Sequence, residues 1–191
     1  MEIDYRAALL QALATTRRLD LASADPDPIF MSQAVDKRGV LGMLGDFITH
    51  LYSQGLERSS ALNGNCVMVH DQLQSYLAFH DVPSHMTIGS MCGDGWKYFD
   101  TSLADLEREL AQPNGAEEIR VHTWLTLDDG SLLDWTGQAW LDVMTGAEHK
   151  AEDCLIFMHQ DEHATDRYYS PLLIGNEFLM RTNCIDRRPI S

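Results

Sequence analysis

No stretch of this sequence approaches the roughly 18 uninterrupted apolar residues of a membrane span, which excludes a spanning helix at the level of composition. Cations are scarce: 14 lysines and arginines stand against 29 aspartates and glutamates, for a formal charge of −15. Nucleic acid and anionic lipid both reward clustered cations, so neither is an expected partner. The acidic surface instead suits solubility, or a cationic or neutral partner such as a protein docked on that surface. Cysteine is sparse too. Cys66, Cys92, Cys154 and Cys184 lie far apart with no Cys-x-x-Cys pair, which argues for reduced thiols in a cytosol-like compartment. The first twenty residues place acids before the apolar run and arginines after it, the reverse of a secretory signal. A cytoplasmic protein is expected, and export by a specialised secretion machine stays compatible. Glycine-rich phosphate loops and dinucleotide fingerprints are missing, so no nucleotide cofactor is implied.

What is present is an ordinary globular chain of 191 residues, with 45% apolar residues that suffice for a core without metal or disulfide staples. Apolar residues at helical spacing over 3–19 predict a first helix, and Asp25-Pro26-Asp27-Pro28 would stop it. Residues 1–30 therefore read as a helical arm and linker, followed by one domain over 31–191. Helices are also expected over about 36–54, 66–80 and 102–110, the last capped by Ser102. The segment 59–65 reads as a loop. Strands are expected over 85–91, 118–127, 132–135, 154–159 and 168–175. The order predicts an α+β fold with helices packed on an antiparallel sheet.

Cys66 follows a glycine turn and opens a predicted helix, whose positive end favours the thiolate, the reactive form. A thiolate nucleophile needs a base and a group to orient that base. The hairpin around Asp128-Asp129-Gly130 offers both, with His122 on the first strand and Asp134 on the second. Its register decides whether they meet. A two-residue loop puts Trp124 opposite Trp135 and turns Asp134 away from His122. A three-residue loop puts Trp124 opposite Asp134 and both acid and histidine on one face. Gly130 would end the longer loop, where a left-handed residue is wanted.

Three stretches carry a resemblance. Gly64-Asn65-Cys66-Val67-Met68 looks like a nucleophile loop and helix start. Val121-His122-Thr123-Trp124-Leu125 resembles the "His-Ala-Trp-Val" strand, and Leu133-Asp134-Trp135-Thr136 the "Val-Asp-Pro-Thr" strand, of transglutaminase-like proteins within the papain-like superfamily. Trp135 stands where that family has proline, and no tryptophan follows the cysteine. The resemblance spans about residues 60–140. It implies a papain-like or transglutaminase-like core with a Cys66-His122-Asp134 triad. That chemistry is thiol-dependent acyl transfer or hydrolysis of a peptide, protein or small amide or ester, as in a thiol protease, amidase or transglutaminase, with no metal or cofactor. Asn65 and Asn63 are then candidate oxyanion donors beside the Cys66 amide, and Trp124 and Trp135 either wall the pocket or fill the core.

Two other readings compete. A catalytically silent binding module would keep the same fold and dock through its acidic surface. His159-Gln160-Asp161-Glu162-His163 spells an inverted zinc-peptidase motif, with Glu177 the nearest third ligand. Zinc there would need both histidines on one helical face.

Overall fold

The structure, a computed structural model, describes residues 4–21, 35–113, 120–159 and 167–185. The linker at 25–28 and His163 lie outside the described residues. The architecture is α+β, built from helices and antiparallel strands in two compact units. One unit takes residues 1–27, 87–122 and 164–191, the other 28–86 and 123–163. Among the described residues, no helix is long and apolar enough to cross a membrane.

In the first unit, α1 (Tyr5–Arg18) starts where the Asp4 carboxylate accepts the Ala7 amide at 3.0 Å. Leu9, Ala12 and Leu13 form its buried stripe, and the helix packs on β6 (Tyr168–Ile174). The Thr16 hydroxyl accepts the Ile174 amide at 2.9 Å, so the contact is polar as well as apolar. The helix expected as an arm thus lies on a strand of its own unit. Strand β1 (Ser84–Gly93) enters this unit at Thr87 and pairs antiparallel with β6 and with β2 (Trp96–Tyr98). Its register with β6 shifts between Ile88 and Gly89, where Gly89 faces Pro171. A proline offers no donor, and an irregularity is where a strand tolerates one. Helix α5 (Leu103–Ala111) carries the expected Ser102 cap, completed by Asp105 into a reciprocal capping box. Bonds from the Ser102 hydroxyl and amide, helped by Arg108, hold the Asp105 carboxyl below its usual value. The unit closes with α7 (Glu177–Arg181), a short helix the sequence reading did not include.

The second unit begins with α2 (Lys37–Ser53), which buries Val40, Leu44, Phe47 and Leu51 at helical spacing. The segment expected as a loop over 59–65 contains a single helical turn, α3 (Ser59–Leu62). Helix α4 (Cys66–Phe79) turns Val69, His70, Leu73 and Leu77 inward. Strand β3 (His122–Leu127) passes into this unit at Thr123, followed by β4 (Leu132–Asp134) and β5 (Ile156–Met158), paired antiparallel in that order. Between β4 and β5 lies α6 (Gly137–Thr145), ended by Gly146 in the left-handed conformation at φ 73°.

The hairpin register answers the question left open by the sequence. Leu125 pairs with Leu133 and Thr126 with Leu132, so the next pair sets Trp124 opposite Asp134. The loop is Asp128-Asp129-Gly130: the Leu127 amide donates to the Ser131 carbonyl at 2.8 Å, and Gly130 has φ 82°. The buried Asp129 carboxylate accepts the Ser131 amide and hydroxyl, both at 2.9 Å, and the Val35 amide at 2.8 Å. Because Gly130 is left-handed, Gly130→Val is expected to cost about 1–2 kcal/mol, whereas Gly130→Asn should cost much less. Urea unfolding of the two variants checks this, and equal stability would contradict the loop assignment.

Candidate active site

Cys66 owes its place to the turn before it. Gly64 adopts φ 81°, the Asn65 amide donates to the Leu62 carbonyl at 3.1 Å, and the Asn65 side chain donates to the Ala61 carbonyl at 2.8 Å. That turn aims the chain into α4 with Cys66 as its first residue, its side chain buried. The Asn65 amide group, expected as an oxyanion donor, thus helps build the turn. Asn63 caps α3, its own amide bonded to the Ser59 carbonyl at 3.0 Å.

One helical turn further on, His70 is completely buried. Its Nδ1 lies 2.8 Å from the Cys66 carbonyl oxygen, and its Nε2 accepts the Trp135 amide at 3.0 Å. A carbonyl only accepts, so Nδ1 must carry the proton. An amide N–H only donates, so Nε2 must be bare. These two bonds define a neutral imidazole in one tautomer. The Asp134 Oδ1 sits 3.5 Å from that Nε2. The same oxygen accepts the amides of Thr136 and Gly137, each at 2.9 Å, and the Thr136 hydroxyl at 3.3 Å. Asp134 therefore satisfies two amides at the start of α6, which have no partner inside the helix.

The structure thus joins the Cys66 turn to the Asp134 strand through His70. His122 is the last residue of the other unit before the chain crosses at Thr123. Its ring is buried, with the Tyr98 ring at 4.8 Å and the Tyr169 ring at 6.3 Å between centroids. Trp124 and Trp135 are both core residues with no exposed surface. The Trp135 indole N–H donates to the Ala151 carbonyl at 2.7 Å, and its ring lies 5.3 Å from that of Phe47. Sequence reasoning passed over His70. The signal was available as Cys-x-x-x-His on a predicted helix, since residues four apart share a face.

The remaining thiols sit differently. Burial first, then the nearby carboxylates of Asp142 and Asp153, push Cys154 up to about 12, so it stays a thiol. Cys92 is buried within β1, and Cys184 is half-buried after α7. Ser59, His149 and Asp142 also cluster, with His149 Nδ1 at 2.8 Å from Asp142 Oδ2. A serine triad would need the hydroxyl on the other ring nitrogen. Here the Ser59 hydroxyl bonds the Asp142 carboxylate and accepts the His149 backbone amide at 3.1 Å, a structural tie between α3 and the end of α6. Burial would raise Asp142, but the bonds from Gln138, His149 and Ser59 hold it below its ordinary value. His159 directly follows β5 and lies 4.0 Å from Asp129, while Glu177 accepts Arg181 Nε at 2.7 Å. Among the described residues, no group of three or more histidine, cysteine or acidic side chains is arranged to hold a metal ion.

Comparison with protein-family models, with curated proteins and with solved structures returns no match.

Proposed function

We propose that this chain is a thiol-dependent acyl-transfer enzyme or hydrolase with a papain-like or transglutaminase-like core. Cys66 is the nucleophile, His122 the base and acid, and Asp134 the orienting carboxylate. The thiol proton passes to the imidazole as sulfur attacks the carbonyl carbon of an amide or ester. The imidazole then returns the proton to the departing amine or alcohol, leaving a thioester on Cys66. Water or an amine attacks the thioester, and the thiol is restored. The oxyanion is met by the Cys66 backbone amide at the start of α4, where the helix dipole favours negative charge. The observation that supports this most is the position of Cys66 as the first residue of α4, tied through His70 to the strand that carries Asp134.

Labelling with iodoacetamide at neutral pH, followed by peptide mass spectrometry, tests the reading. Exposure alone would favour the half-buried Cys184 over the buried Cys66. An activated nucleophile reverses that order, so Cys66 is expected to be modified first. Cys66→Ala should abolish the fast phase with little loss of stability, because alanine is a good helix former. Modification of Cys184 ahead of Cys66 in the native protein would overturn the proposal.

A further inference from the structure

We infer that His70 is a positioning residue for this chemistry, a neutral imidazole that holds the Cys66 turn and the Asp134 strand in one register; the inference rests on the thiol-enzyme reading above. The ring bridges two elements that meet nowhere near each other in sequence. Nδ1–H holds the carbonyl of the nucleophile's own residue at 2.8 Å. Nε2 holds the amide directly after the acid at 3.0 Å. Each bond ends on backbone, so each fixes the main chain that aims a reactive side chain rather than the side chain itself. Because both ring nitrogens are already committed, His70 cannot serve as the proton carrier without breaking one of these bonds. It also leaves the Asp134 carboxylate at 3.5 Å without donating to it, so that carboxylate keeps its role at the start of α6. Burial with no exposed surface keeps water from replacing either bond.

The bond pattern makes the role separable from bulk stability. His70→Asn retains a polar group near the Nδ1 position and loses the partner of the Trp135 amide. His70→Gln places its terminal amide near the Nε2 position and weakens the hold on the Cys66 carbonyl. His70→Phe keeps the ring volume and removes both. The readout is the iodoacetamide rate constant at Cys66, measured on folded protein at about pH 6 and about pH 9 beside a thermal unfolding midpoint. We expect His70→Phe to slow Cys66 alkylation at pH 6 by about tenfold or more relative to pH 9, since small misplacement of reacting groups costs rate steeply. Asn and Gln should fall between Phe and the native protein, each restoring part of the rate. A purely structural role would lower the unfolding midpoint while leaving the pH 6 to pH 9 ratio of the folded protein unchanged. That result in the Asn and Gln variants overturns the inference even if the Phe variant does not fold. A native Cys66 that reacts no faster than Cys184 overturns the thiol-enzyme reading and this inference with it. A fast native Cys66 with unaltered variants overturns the positioning role alone.

Discussion

Replacing Asp134 by alanine is expected to damage stability and activity together, and replacing it by asparagine to damage activity alone. The carboxylate oxygen Oδ1 accepts two backbone amides at 2.9 Å and the Thr136 hydroxyl at 3.3 Å, in a site with no exposed surface. Alanine strands those donors, and a lost cap together with buried unsatisfied amides costs about 3 kcal/mol. Asparagine presents a carbonyl oxygen at the same place, so the start of α6 keeps its acceptor. In the proposed triad, what asparagine lacks is the charge that would orient and stabilise an imidazolium. Hydrolysis of an activated ester such as p-nitrophenyl acetate should therefore fall by about 10²–10⁴-fold in both variants. Urea unfolding should separate them, with Asp134→Asn near the native protein. If Asp134→Asn retains full esterase activity, Asp134 is a structural cap and no member of a triad.

The surroundings of Asp134 show where the sequence was informative. The hairpin was legible because its cues are local: alternating apolar residues on both sides, two acids and a glycine suited to φ 82°. Ser102 was legible for the same reason, since cap and partner lie three residues apart. Helix α4 could be read from its spacing, and with it the place of Cys66 at a helix start. Helix α6 was missed although its stop at Gly146 was visible. Its start depends on Asp134, a residue already assigned to a strand and a triad. Helix α3 was missed because nothing local selects it. Its turn is held by one backbone bond, from the Ser59 amide to the His149 carbonyl, and by the Ser59 hydroxyl, which accepts the His149 amide from some 90 residues away. His70 has the same character: one of its bonds is four residues off and readable, the other 65 residues off and not.

Trp135 is where the largest loss of stability is expected. The sequence left this residue between pocket wall and core, and the structure places it fully inside. Its indole packs against Phe47 and its N–H satisfies the Ala151 carbonyl at 2.7 Å. Truncation to alanine removes a large aromatic from a close-packed interior and orphans that carbonyl. Such changes cost about 3–5 kcal/mol, enough to leave a domain of ordinary stability close to unfolding. Trp135→Phe keeps most of the ring but not the N–H, so it should lose only about 1–3 kcal/mol. The Trp135 backbone amide that holds His70 is untouched by either change, because it belongs to the main chain. The phenylalanine variant should accordingly retain fast alkylation of Cys66 while unfolding at lower urea. If Trp135→Phe leaves stability intact but slows Cys66, the indole acts on the site directly and belongs to the pocket rather than the core.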